Sequence, residues 1–213
     1  MDIPSLLRLE EYKAFSGIAL SGRVLDLGGD RNSNYHSLFK GEFKTTTVNC
    51  NTEIRPDIIH DLEQPLPIAG ESFDHVLFIN VLEHIFEYRA LLREAVRVLK
   101  PEGSIVVVAP FLFPIHPSPK DYHRFTADTL HKEIEILGLK EISVTALGTG
   151  VFSVRYLLLD RLLPRTFRFI NFYTFRYVAY GLDALFGDIA HMLGKNYSRE
   201  DYALSHCVVA RKI

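Results

Sequence analysis

Two groups of residues in this 213-residue chain have the types and spacing to do chemistry. The first is Asp26-Leu27-Gly28-Gly29, an acid and a glycine pair closing the run that begins at Arg23. Glycine lets a backbone approach a ligand closely, and the free amides of such a turn orient polar parts of a nucleotide-like molecule. The second is Glu83-His84, just after Asn80, together with His116, Asp121, Tyr122, His123 and Arg124 of the proline-rich stretch 110–125. Imidazole titrates near neutral pH, so His84, His116 and His123 are the candidates for moving a proton. His116, Tyr122 and Arg124 are the candidates for holding a substrate. His116, His123 and His131 match no compact metal-ligand spacing, and Cys50 and Cys207 are too far apart to form one, so no metal is expected.

These residues need a sheet to position them. Phe73–Ile79 is a short apolar run, which suits a strand buried on both faces. From Tyr88 the residues Leu91, Leu92, Ala95, Val96 and Leu99 fall at helical spacing, with Arg89, Arg93, Glu94 and Arg97 opposite. Lys100-Pro101-Glu102-Gly103 ends that helix, and Ser104–Ala109 is a second β-branched strand. Strand, helix and strand in under forty residues predict a right-handed crossover between parallel neighbours. Arg23–Leu27, Lys44–Val48 and Asp57–His60 read as strands one to three. Lys140–Leu147 and Tyr202–Ala210 read as the last two. Ser5 caps a first helix that reaches Ser16 and covers the sheet or the ligand pocket, and Thr126 caps another that Gly138 ends.

The order Phe-Asp, Leu-Glu-His and Arg-Val-Leu-Lys-Pro-Glu-Gly, with Val-Leu-Asp-Leu-Gly-Gly at 24–29 and Pro-Asp-Ile-Ile-His-Asp-Leu-Glu from 56, resembles the class I S-adenosylmethionine-dependent methyltransferases, and within them the type 11-like branch. The resemblance covers roughly the first two thirds of the chain. It implies an α/β fold with a doubly wound, seven-stranded, Rossmann-like sheet in the order 3-2-1-4-5-7-6, the last strand antiparallel. It also implies S-adenosylmethionine as the cofactor. Asp26 takes the place of the acid that holds the donor's amino group, beside Gly28 and Gly29. Asn49 stands where relatives carry a ribose-binding acid, Asp61 and Leu62 flank the adenine, and Asn80 lies at the pocket mouth. Where the family's loop continues with further glycines, this chain has Asp30 and Asn32. An amide is a weaker acceptor than a carboxylate, so donor affinity is expected to be modest and to improve on Asn49→Asp.

The resemblance implies methyl transfer, at oxygen or nitrogen, to a small-molecule or sugar-linked acceptor. The alternatives are a lipid or quinone acceptor at the membrane surface, or a non-catalytic interaction subunit of the same fold. Hydrophobic residues make up 47% of the chain and the formal net charge is -2, which gives no global nucleic-acid footprint. The N-terminus does not read as a signal peptide and no run reaches spanning length, so a cytoplasmic protein is expected, with peripheral contact at the inner membrane face as an option. One domain, 1–213, is expected, carrying a helical insertion at 151–194. There Arg155, Arg161, Arg165, Arg168 and Arg176 alternate with aromatic residues, and Leu157, Leu158, Leu162 and Leu163 are expected on one side of a helix. This insertion is read as a lid that also offers a homodimer or membrane contact.

Overall fold

The computed structural model describes residues 4–31, 33–148, 150–160, 162–164, 167, 171–195 and 197–213. Its centre is a seven-stranded sheet ordered β3-β2-β1-β4-β5-β7-β6. The strands are β1 (Gly22–Leu27), β2 (Phe43–Asn49), β3 (Ile58–Ile59), β4 (Phe73–Ile79), β5 (Leu99–Pro110), β6 (Leu139–Leu147) and β7 (Ser205–Lys212). The first five run parallel, and β7 lies antiparallel between β5 and β6. Strand order reverses at β1, whose neighbours are β2 and β4, and such a switch point leaves a crevice at the carboxyl ends of the strands.

Both faces of the sheet are buried, and the pleat sorts the side chains between them. Leu25, Leu27, Val76, Phe78, Ile105 and Val107 face one core together with Leu91, Leu92 and Ala95 of helix α2 (Tyr88–Val98) and Leu130 and Ile134 of α3 (Ala127–Ile136). Val24, Leu77, Ile79, Val106 and Val108 face the other, with Phe15 of α1 (Leu6–Phe15), Tyr35 and Phe39. Each fully buried Leu or Phe contributes about 1.5–3 kcal/mol, so the apolar stripe of α2 accounts for its docking. Ser5 and Thr126 cap α1 and α3 as expected, each side-chain oxygen accepting a backbone N–H at 3.2 Å.

The structure departs from the sequence reading in three places. Strand β5 begins at Leu99, so Lys100-Pro101-Glu102-Gly103 is a kink inside the strand, with Glu102 at φ +61°, and pairing with β4 shifts register across it. Residues Arg199–Tyr202 form a 3-10 turn, which delays β7 to Ser205. Between β6 and β7 lie α4 (Val151–Asp160) and α5 (Arg176–Met192). Because α4 stops at Asp160, its leucines do not share one side. Leu157 is buried against Leu6 and Leu7 of α1, while Leu158 and Leu162 are exposed. Arg176 does not reach outward either: it is buried, with its guanidinium over the Tyr177 ring. Arg161, Arg165 and Arg168 lie outside the described residues.

Candidate active site

A cavity of about 460 Å³ opens at the carboxyl ends of β1, β2, β3 and β4. Gly28 closes its floor after β1. Its φ of +81° favours glycine, and a Cβ there would meet Val81 at 2.3 Å. Asn49 ends β2 and lines the cavity. Its Nδ2 donates to the Gly28 carbonyl at 2.8 Å, and its Oδ1 accepts from the Asn51 amide at 2.9 Å. Asp61 and Leu62 line it after β3, the Asp61 carboxylate accepting from the Glu63 amide at 3.0 Å. Asn80 lines it after β4, held at φ +54° by a 2.7 Å bond from its Nδ2 to Glu11 of α1. Burial, the largest influence, raises the Glu11 pKa. Helix α1 therefore reaches the pocket wall through Glu11, and among the described residues the buried Asn80 Oδ1 has no hydrogen-bond partner.

Asp26 is not in the cavity wall. It shares the pleat parity of Val24, which turns its carboxylate into the second core, fully buried, rather than to an open turn. There Oδ2 accepts from Tyr35 Oη at 2.5 Å and lies 2.6 Å from His36 Nε2, while Oδ1 has no partner among the described residues. Burial, reinforced by Asp26, drives the Tyr35 pKa far above the usual phenol range. Gly29 packs on this carboxylate: a Cβ at 29 would lie 2.0 Å from Asp26 Oδ2. Asp26 and Gly29 thus build the support beneath the loop. Asp30 follows Gly29 in the described chain, and Asn32 lies outside the described residues.

The loop between β5 and α3 forms the opposite wall, with Ser118, Pro119, Lys120 and Tyr122 facing the cavity. Its shape rests on Asp121. That carboxylate accepts from the His116 amide at 2.8 Å and pairs with both terminal nitrogens of Arg124, one at 2.7 Å. Arg124 also donates to the Phe113, Pro114 and His123 carbonyls. Arg124, ahead of His116, holds the Asp121 carboxyl well below the usual carboxylate range. Arg124 was expected to touch a substrate; its donors are spent on the loop, and it is absent from the cavity wall. His123 is also turned away, its Nε2 3.1 Å from the Phe86 carbonyl and its ring against Tyr88.

His84 and His116 do meet. Their ring centres are 5.1 Å apart, and His84 lines the cavity. Glu83 lies between them, fully buried, with Oε1 3.5 Å from His116 Nε2 and 3.7 Å from His84 Nε2. The Glu83 carboxylate, more than the Pro114 carbonyl or Asp121, raises the His116 pKa against the opposing effect of burial. Sequence reasoning named the two histidines, and it gave Glu83 no role because its burial leaves no mark in the sequence. Cys50, Val81, Ile85 and Lys120 are further wall residues it did not anticipate. Their signal was position alone, since each follows a strand end or lies in the proline-rich loop. Both cysteines are free, Cys50 exposed and Cys207 buried.

A family model described as a methyltransferase domain matches residues 27–107, from the end of β1 through most of β5. Over that stretch the chain is similar to a methyltransferase domain. No curated protein matches it in sequence. Among solved structures, it is similar to an S-adenosylmethionine-dependent methyltransferase from Thermotoga maritima described as a possible histamine N-methyltransferase, at 15% identity over 98% of this chain and 92% of that one, with a TM-score of 0.61. It is also similar to 1,6-didemethyltoxoflavin-N1-methyltransferase from Burkholderia thailandensis, bound to 1,6-didemethyltoxoflavin and S-adenosylhomocysteine, at 14% identity over 97% and 78%, with a TM-score of 0.54. A third is described as a cyclase, at 16% identity over 97% and 80%, with a TM-score of 0.59. At such identities the likeness is one of fold.

Proposed function

We propose that this enzyme binds S-adenosylmethionine in the cavity at the strand-order switch and transfers the methyl group to an oxygen or nitrogen of a small-molecule or sugar-linked acceptor. The observation that carries this is the two-sided cavity: strand ends bearing Gly28, Asn49, Asp61 and Asn80 on one wall, and the loop bearing Lys120 and Tyr122 on the other, with His84 between. The residues fit the cofactor. Gly28 forms a cradle that a Cβ would fill, Asn80 Oδ1 is an unpartnered buried acceptor, and Leu62 and Ile85 offer apolar surface for a base. When bound, the cofactor supplies a methyl group already activated on a sulfonium. The protein's part is to hold a nucleophile in line with that bond and exclude water, which gives rate through proximity and orientation. Asp26 takes a positioning role here, through Tyr35 and His36, and Tyr122 contacts the acceptor.

The fold also hosts other chemistry, as the cyclase illustrates, so the reaction is argued from the domain match and this cavity. Calorimetry with S-adenosylmethionine and its demethylated product should give one-to-one binding, and an acceptor screen with labelled methyl donor should find transfer. A folded protein that binds neither nucleotide refutes the reading.

A second reading concerns where the acceptor is met. Val178, Leu182, Leu185, Phe186, Ile189 and Met192 of α5 are exposed, and Tyr173 and Phe175 precede them. No described helix is long and apolar enough to cross a membrane. This surface suits a second copy or the face of a bilayer that presents a lipid acceptor. Sedimentation with anionic and neutral vesicles, with solution mass alongside, tests it; a monomer that ignores both leaves α4 and α5 as a cap over α1.

A further inference from the structure

Glu83, His84 and His116 bring three ligand atoms within 4.8 Å of one another, although His116 comes from a loop more than thirty residues downstream of the other two. The ring nitrogens decide what this group can hold. His84 Nδ1 lies 2.6 Å from the Lys120 carbonyl, and His116 Nδ1 lies 3.1 Å from the Pro114 carbonyl, with Asp121 Oδ2 at 3.4 Å. Carbonyl oxygens only accept, so each Nδ1 carries a hydrogen, and whenever Nε2 is deprotonated its lone pair faces Glu83. Both Nε2 atoms point at Glu83 Oε1, at 3.7 and 3.5 Å. Among the described residues no donor hydrogen-bonds to either oxygen of this fully buried carboxylate.

A buried carboxylate facing two ring nitrogens calls for positive charge between them, which a ring proton or a bound cation supplies. We propose that Glu83, His84 and His116 bind one divalent transition-metal ion at the acceptor end of the cavity. Two imidazoles and one carboxylate on one side of an ion, with the remaining positions open, are a ligand set for a borderline metal such as zinc, cobalt or iron rather than magnesium or calcium. Ligands held at roughly 2.1 Å around a tetrahedral ion stand about 3.4 Å apart, so the carboxylate contacts nearly match and the rest of the group, within 4.8 Å, needs to draw in by up to about 1.4 Å. The second shell is in place: the Lys120 and Pro114 carbonyls fix both tautomers, and Asp121 buttresses the His116 ring. His84 opens onto the cavity, so the free positions face where an acceptor would lie. There the ion would bind a hydroxyl and lower its pKa, replacing a general base. Only this last role rests on the methyl-transfer reading.

The test uses the metal alone on the whole enzyme. After chelation and dialysis, Co²⁺ is titrated in and followed by visible absorption, with Zn²⁺ as competitor and Mg²⁺ as a non-competitor. One-to-one binding is expected, weakened at least tenfold in each of His84→Ala, His116→Ala and Glu83→Gln. Thermal unfolding of each variant establishes that it is folded; His116→Asn serves if His116→Ala is not. Absence of saturable Co²⁺ binding, or binding that survives all three substitutions, overturns the proposal. Nucleotide binding without Co²⁺ binding sinks the metal site alone. Co²⁺ binding without nucleotide binding sinks the methyl-transfer reading alone.

Discussion

Asn49→Asp tests the geometry of the donor side, because sequence and structure give it opposite signs. From sequence, a carboxylate at the end of β2 should grip ribose hydroxyls better than an amide. In the structure the amide is already committed, with Nδ2 donating to the Gly28 carbonyl and Oδ1 accepting from the Asn51 amide. A carboxylate can keep the second contact. Its other oxygen would then face the Gly28 carbonyl at the 2.8 Å now spanned by a hydrogen bond, acceptor against acceptor. Losing the bond costs about 1 kcal/mol, roughly a fivefold change in an equilibrium constant, and an unpaired carbonyl adds to it. The loop it anchors is the floor of the cavity, so the loss should appear in nucleotide affinity. Calorimetry with S-adenosylhomocysteine should show Asn49→Asp weakened by at least about fivefold, and Asn49→Ala, which loses both contacts, weakened as well. Tighter binding by Asn49→Asp than by the native protein refutes the reasoning, since the ribose would then govern the site and the loop would not depend on the amide.

Asp26→Ala should lower stability as well as nucleotide affinity, because it removes two hydrogen bonds inside the core and orphans the Tyr35 hydroxyl; urea unfolding should show a loss of about 2–4 kcal/mol, and native stability would place the carboxylate in solvent. Asp74 accepts from the Arg23 amide and from Lys100 at 2.8 Å, and Lys100, the largest influence, lowers its pKa. A depressed folded-state pKa stabilises above the unfolded value of about 3.9 and is lost as pH falls through the folded one, so Asp74→Asn should flatten the stability profile below about pH 4. The pair is partly exposed, which keeps the effect under about 1 kcal/mol, and an unchanged acid limb would disprove it. Arg124→Lys cannot reproduce the paired contact with Asp121 and should reduce methyl transfer with nucleotide affinity unchanged, as measured by kinetics beside calorimetry; parallel losses would mean that this loop closes over the nucleotide.

What the sequence revealed and what it concealed divide along the same line as the two walls of the cavity. The donor wall consists of strand ends, and strand ends are legible: β4 and the apolar stripe of α2 follow from periodicity, the sheet order from the family resemblance, and Gly28, Asn49, Asp61 and Asn80 from their places in that order. Even there Asp26 stands apart, since the alternation that puts Val24 in the second core puts Asp26 beside it and away from the cavity wall. The acceptor wall depends on a loop that returns across the sheet. Nothing local in the sequence says that Asp121 will fold His116 back onto Glu83, because that contact is made through backbone carbonyls and one carboxylate rather than through an apolar pattern. The burial that hides the part played by Glu83 also gives the trio its value. A buried carboxylate is unfavourable unless a cation or a donor satisfies it, and the fold spends an ordered loop, locked by Asp121 and Arg124, to bring two imidazoles to Glu83. Beside an open cavity, such a trio fits the proposed chemistry better than packing, since Leu82, Phe78 and Val108 are already fully buried there.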